Sequence, residues 1–341
     1  MRATIGIDIG SDRIRIYSGH SIVLDEPSCI AVKVYSGEPV AFGQKARDMI
    51  GKTGENVSVI NPIQRGVITE YEEALMLIKE YLGRVCKNKM IKPKVLCSMP
   101  SGLSAVQMRS IIRAVKAAGA RTAALIESPI ALAVGLDLDF STPHGTVVVD
   151  VGAGTTDVAV LSLGRLVQCA SAKTAGCDFD DAIVKYVRKK HNIVIGEMTA
   201  RRIKEQIGCI SKRNIEIGMT VKGNSIYTGL PISFEITANE VCEACEDVYS
   251  LMVKAIREVL ERTPPELVSD AANDGIYLTG GGMLIHGFEK RLGEELSTKI
   301  KTVPDPINTV ARGTGVALGN AKYFSKGGDY RYRNLGELIL E

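Results

Sequence analysis

The chain of 341 residues is 45% hydrophobic and 24% charged, enough apolar material for two ordinary cores and too little polar bias for a long disordered region. A net charge of +3, with acids and bases interspersed, argues against a nucleic-acid-binding surface. The start MRATIGIDIG runs straight into a strand pattern with no leader-like region, and no apolar run approaches the roughly 20 residues that span a bilayer, so a cytoplasmic protein is expected.

In chain order, TIGIDIGSDRIRIYS (4–18) places an apolar strand, Asp8, Gly10, a short polar turn and a return strand in succession, the pattern of a β-hairpin. Short strands over 28–34 and 40–43 and a helix over 44–50 have the character of a small subdomain. A helix over 72–86, the buried strand KVLCSMP, a helix over 104–118, a strand over 122–126 and a helix from Pro129 follow. Strands alternating with helices predict a sheet with parallel members covered by helices. Before that buried strand, CKNKMIKPK sets Met90 and Ile91 among Lys87, Lys89, Lys92 and Lys94. Two apolar side chains ringed by lysines suit a membrane-surface anchor; an ordinary exposed loop is the alternative.

At 146–162 the first plan returns as TVVVDVGAGTTDVAVLS, again strand, Asp, Gly, small polar turn and strand. The repeat predicts a duplicated chain, one hairpin opening each half. Helices over 179–191 and 199–208, a small β insertion over 215–236, a long helix from Asn239, the strand GIYLTGGG and a final helix complete the second half. The polar, turn-rich stretch 208–224 reads as a mobile tip and 320–341 as a loosely held tail. Cys242 and Cys245 form the single C-x-x-C pair, but they fall within the long amphipathic helix without a second ligand pair and read as buried helix cysteines. The four histidines lie far apart and near no nucleophile pattern.

A glycine turn exposes backbone N–H groups that together form a nest for phosphate oxygens. Gly152, Ala153, Gly154, Thr155 and Thr156 offer amides and hydroxyls in one turn, Gly10 and Ser11 in the other. Asp8 and Asp150, each just before its turn, are placed to hold a divalent cation through water, as Mg2+ prefers. Glycines that only make tight hairpins are the simpler reading of either turn alone; the match between the two favours a shared ligand. Gly280, Gly281 and Gly282, between a strand and a helix, add a third place where a ligand can lie against backbone.

The order DIGS, IESPIALAVG, VVVDVGAGTTDVAV, RRIKEQIG and YLTGGGMLIHG resembles that of the actin, Hsp70 and sugar-kinase superfamily. Within it, LDEPS, VINPIQRGVI, MPSGLS, AGCDFDDAI, YTGLP and TPPELVSD make the chain similar to the MreB family of bacterial actin homologues over about residues 3–320. The resemblance implies an α/β, actin-like ATPase fold of two duplicated ribonuclease H-like lobes around a nucleotide cleft. The lobes are expected over 1–145, with an insert at about 33–65, and over 146–320, with an insert at about 180–240, before a tail at 321–341. It implies ATP and Mg2+ as cofactors and a first phosphate loop of Gly10, Ser11, Asp12 and Arg13. It also places Lys204 and Glu205 beside the adenosine and Gly280 to Met283 against adenine and α-phosphate, with Glu127, Asp150 and Thr156 as candidates for slow hydrolysis. Head-to-tail filaments on the inner face of the cytoplasmic membrane, working with cell-wall synthesis and rod-shape proteins, are the implied partners.

Two departures from the family pattern stand out. The first loop usually reads T-A-N and here is Ser11, Asp12, Arg13, which adds a carboxylate beside a polyphosphate that Arg13 or the metal must offset. The family usually carries I-E-E-P, where the second acid aligns with the water-orienting residue; here Ser128 replaces it, and only Glu127 remains. A weakly hydrolysing, regulatory or co-polymerising paralogue is therefore the alternative reading, ahead of a small-molecule kinase or an Hsp70-like switch.

Overall fold

The computed structural model describes residues 4–86 and 92–319. Met90 and Ile91, and the tail from 320 onward, lie outside the described residues.

The first half opens with β1 (Thr4–Ile9), β2 (Arg13–Ser18) and β3 (Ser21–Pro27), joined as an antiparallel meander. Ile5, Ile7 and Ile9 alternate along β1 into one core, as period-two patterning requires. A small antiparallel sheet of β4 (Ile30–Lys33), β5 (Pro39–Phe42) and β6 (Val57–Ile60) interrupts the half, with the short helix α1 (Gln44–Arg47) between its last two strands. After the two-residue strands β7 (Ile63–Gln64) and β8 (Val67–Ile68) come α2 (Tyr71–Val85), β9 (Lys94–Met99), α3 (Ala105–Ala117), β10 (Thr122–Glu127) and α4 (Ser128–Gly135). Helix α3 begins where the sequence places it, because Ser104 accepts from the Gln107 amide while the Gln107 side chain accepts from the Ser104 amide. β9 lies parallel to β1 and to β10, giving the order β10-β9-β1-β2-β3.

The second half repeats this plan. Strands β11 (Thr146–Val151), β12 (Thr156–Ser162) and β13 (Arg165–Ala172) form the meander, followed by α5 (Gly176–His191), β14 (Ile193–Val194), α6 (Glu197–Ile207), β15 (Gly218–Ser225) and β16 (Pro231–Thr237). Next come α7 (Ala238–Glu261), α8 (Pro265–Asp274), β17 (Ile276–Thr279), α9 (Phe288–Leu296), β18 (Ile300–Thr302) and α10 (Thr309–Gly319). The sheet order is β13-β12-β11-β17-β18, an antiparallel meander extended by two parallel strands as in the first half. β14, β15 and β16 make the second small sheet, so the end of the stretch read as a polar tip, from Gly218 onward, is strand β15. Cys242 and Cys245 are buried on the apolar face of α7, as expected.

Each large sheet has its own core, and a third apolar cluster joins them. It is built from Leu96 and Ile126 of the first sheet, Val148, Ala159 and Leu161 of the second, and the helices α4 and α10 between. Helix α4 reads SPIALAVG and is buried on almost every side, as an apolar helix without a polar face must be. It crosses α10 closely enough that a Cβ on Gly313 would run into the carbonyl of Ala131. α10, the last described helix, also packs on β1, β2 and β9, so the end of the second half closes the sheet of the first.

Candidate functional site

The two hairpin turns are built alike. Gly10 N–H donates to the Arg13 carbonyl at 3.1 Å, and Gly152 N–H donates to the Thr155 carbonyl at 2.9 Å. Across the strands, Asp8 pairs in register with Arg15 and Asp150 with Asp157, two residues outside each turn. The turns meet: a Cβ on Gly154 would strike the Ser11 side chain, whose Oγ accepts from the Gly66 amide at 3.0 Å. Between them lies a cleft of about 750 Å3.

The cleft gathers most of the residues the sequence singled out. Asp8, Gly10, Ser11, Asp12 and Arg13 come from the first hairpin, Asp150, Gly152, Ala153, Gly154 and Thr155 from the second, and Lys204, Glu205, Gly280, Gly281 and Gly282 from the far wall. Gly280 needs to be glycine, since its φ is 92° and a side chain there would collide with the end of β11. The residues after it form a single 3-10 turn, Gly281–Leu284, and the helix expected beyond the glycines, α9, begins at Phe288.

Four expected roles change. Thr156 is fully buried and its hydroxyl donates to the Thr174 carbonyl at 2.7 Å, so it faces the protein and offers nothing to the cleft. The strand period explains this: Thr156 opens β12 and points opposite to its neighbours Thr155 and Asp157, which line the cleft. Met283 turns into the second core, and Leu284, Ile285 and His286 line the cleft beyond the glycines instead. Glu127 is half-buried at the end of β10, and the adjoining wall is formed by Ser128, not by its carboxylate. Arg13 does not offset Asp12: its Nε lies 2.5 Å from Asp25 and it also donates to the Asp25 carbonyl at 2.8 Å.

Asp12 is neutralised from elsewhere. Its Oδ1 accepts from Arg47 Nη2 at 2.6 Å and from Arg201 Nη1 at 2.7 Å. Burial pushes this carboxyl up, but the two guanidiniums outweigh it and hold Asp12 below the usual carboxylate range. Lys204 Nζ sits 2.8 Å from the buried Asp180 and donates to the Gly176 carbonyl at 2.7 Å.

The opposite condition holds deeper in the cleft. Burial raises Asp150 well above its ordinary range, and the charges of Asp157 and Asp8 raise it further, with Arg15 only partly opposing them. Burial likewise raises Asp8, against Arg15 and a 2.6 Å hydrogen bond from Ser98 Oγ. It raises Asp157 too, against hydrogen bonds that include Thr155 Oγ1 at 2.9 Å and the Ser101 amide at 3.3 Å. Three desolvated carboxylates with one guanidinium, its Nη1 4.0 Å from Asp8, form a wall that a hard cation relieves. No three Asp, Glu, His or Cys side chains among the described residues converge tightly enough to enclose an ion, so the donor set suits one held largely through water.

Arg15, Arg47, Ser98, Asp157 and Arg201 all line the cleft, and residue-by-residue reading of the sequence did not single them out. Arg15 and Asp157 had a signal, since each stands as far after its turn as the known Asp stands before it. Arg47 and Arg201 had none, because only the fold brings them to Asp12 across 35 and 189 residues.

Two α/β halves of one topology, closing on a cleft walled by paired glycine turns, define an actin-like fold. The structure superposes on MreB5 of Spiroplasma citri bound to ADP with a TM-score of 0.88 at 34% identity, covering 93% of this chain and 96% of that one. For the same protein bound to AMPPNP the TM-score is 0.89 at 33% identity, over 94% and 97% of the chains. The family model described as MreB/Mbl protein matches residues 2–326. The cell shape-determining protein Mbl of Bacillus cereus is 37% identical over 318 residues, 93% of this chain and 96% of the relative. The cell shape-determining protein MreB of Escherichia coli is 38% identical over 321 residues, 92% of each. The chain belongs to the MreB/Mbl family of cell shape-determining, actin-like proteins.

Proposed function

We propose that the chain binds ATP with Mg2+ in the cleft and assembles head to tail into filaments on the inner face of the cytoplasmic membrane. There it serves cell shape by organising wall-synthesis proteins. The observation that carries this reading is the pair of matched turns facing each other across one cavity, each presenting its backbone beside a half-buried Asp. Amides of the turn residues after Gly10 and after Gly152, whose own N–H groups close the turns, hold phosphate oxygens from both sides. Asp8, Asp150 and Asp157 hold the metal through water, and Gly280 to Gly282, with Lys204 and Glu205, flank the nucleoside. The metal supplies charge neutralisation of the phosphates. One relative of known structure, MreB5 of Spiroplasma citri, has been solved bound to ADP and bound to AMPPNP, which supports this use of the cleft. A heterologous contact that does not close on itself gives a filament, and many copies on a lipid surface make weak single anchors effective.

Titration of the protein with ATP and Mg2+ by calorimetry tests the first part. Gly154→Val, which drives the two turns apart, is expected to weaken binding at least about tenfold, or about 1.4 kcal/mol. A protein that takes up no nucleotide under these conditions overturns the assignment. Sedimentation and electron microscopy with ATP on anionic vesicles test assembly, and a chain that stays monomeric at high concentration on lipid rules the filament out.

A weakly hydrolysing, regulatory or co-polymerising form of the same protein is supported by a specific feature. Ser128 is buried and its Oγ donates to the Met99 carbonyl at 3.0 Å, so the side chain that replaces the family's water-orienting acid is tied to backbone. Turnover of the natural chain is expected to be slow and to rise in Ser128→Glu. An unchanged rate removes Ser128 as the cause.

A further inference from the structure

Asp12 lies between two guanidiniums that approach it from opposite sides of the cleft mouth. Arg47 comes from α1, in the small insert of the first half, and also donates to the Asp12 carbonyl at 2.7 Å. Arg201 comes from α6 in the second half, where its Nε lies 3.6 Å from Asp180. Asp180 in turn meets Lys204 at 2.8 Å, so a chain of charges runs from α1 through the first hairpin turn to α6 and α5. These groups are well covered: the side chains of Arg47 and Arg201 are each 13% exposed and that of Asp12 is 23% exposed. Pairs this buried are screened far less by salt than surface pairs. A second bridge crosses the halves nearby, from Arg65 to Asp178 at 3.0 Å, but Arg65 is 45% exposed and so contributes less.

We propose that Asp12 is an interlobe latch, holding the two halves together at the cleft mouth before any phosphate is bound. Both guanidiniums address the same carboxylate oxygen, which brings two positive charges from opposite halves within a few ångströms of each other. Removing the carboxylate therefore does more than delete a bond. It leaves Arg47 facing Arg201, and like charges that close push the halves apart. Removing Arg201 deletes the same bond and leaves no repulsion. The latch thus predicts an asymmetry that a merely structural ion pair does not: the Asp12 variant opens further than the Arg201 variant, and the double variant returns to the Arg201 level. Its effect on nucleotide exchange rests on the cleft being the nucleotide site; its effect on lobe separation does not.

The test is a distance measurement by pulsed electron paramagnetic resonance on nucleotide-free protein. Spin labels are carried by non-native amino acids at Tyr35 and Tyr227, exposed residues near the two small sheets, because the chain has eight native cysteines. The natural chain is expected to give one narrow distribution, Asp12→Asn a longer and broader one, Arg201→Ala an intermediate one, and Asp12→Asn with Arg201→Ala the intermediate one again. An unshifted Asp12→Asn distribution, or a double variant as open as Asp12→Asn alone, overturns the latch. Should Asp12→Asn fail to fold, as judged by its melting curve, Arg47→Ala takes its place, and a distribution unchanged from the natural chain then overturns the latch. In parallel, release of a fluorescent ADP is expected to quicken about tenfold in Asp12→Asn. If the protein binds no ADP at all, the nucleotide reading fails while the distances still decide the latch.

Discussion

Asp150 is held at a cost to the metal-free protein. Its folded-state pKa lies above the unfolded value, so the stability it contributes is complete below the ordinary carboxylate range and is lost as pH rises through the raised value. Near neutral pH the cluster of Asp8, Asp150 and Asp157 therefore opposes folding until a cation compensates it. Asp150→Asn is expected to raise the melting temperature of the metal-free protein by roughly 2–4 °C for each kcal/mol relieved and to abolish the further rise that Mg2+ gives the natural chain. Calorimetric melting with and without Mg2+ checks both halves of that statement. Thr156 gives the contrasting case. Because its hydroxyl serves the Thr174 carbonyl inside the core, Thr156→Val is expected to lose about 1–3 kcal/mol of stability, read by urea unfolding, while Thr156→Ser loses less. Calorimetry should show ATP affinity unchanged in both, since no atom of Thr156 reaches the cleft wall.

At the scale of elements, the hairpins were legible because everything that makes them is local. The alternating apolar residues, the glycine turn and the cross-strand partner all lie within about fifteen residues. Helices α3 and α7 were legible for the same reason, since each carries its own cap, Ser104 with Gln107 and Thr237 with Glu240. β18 was missed because three residues, Ile300–Thr302, are too few to show a period, and its place is fixed by pairing with β17. The glycine turn and the helix after it were legible, but the helix, α9, starts only at Phe288, with a 3-10 turn over Gly281–Leu284 before it. Of the two expected partners of Asp12, Arg13 or the metal, Arg13 as the neighbour in sequence belongs to Asp25, and the neighbours in space come from α1 and α6. The crossing of α4 and α10 is tightly constrained by glycine. Gly313→Ala is expected to destabilise the protein by about 1–3 kcal/mol or more, measured by urea unfolding, because no side-chain motion clears the Ala131 carbonyl. The same substitution at Gly281, where nothing lies within 4 Å, is expected to leave stability within about 0.5 kcal/mol.

For the molecule as a whole, duplication was the most informative sequence signal, and the structure returns it as two sheets of one strand order. What duplication could not show is that the halves are interleaved. Gly6 in β1 lies under Thr314 and Gly315 of α10, so the first described strand is covered by the last described helix. A chain cut before Thr309 is expected to lose the sheet cover of its own first half and to show rapid proteolysis together with a lost near-ultraviolet signal, where the longer chain resists. The same interleaving sets an order of events during synthesis. About 300 residues separate β1 from α10, and a ribosome adding 5–20 residues per second needs roughly 15–60 s to make them. Throughout that interval the nascent amino-terminal sheet waits for the helix that will cover its strands, so the first half of the chain cannot finish folding before the last described helix has been made.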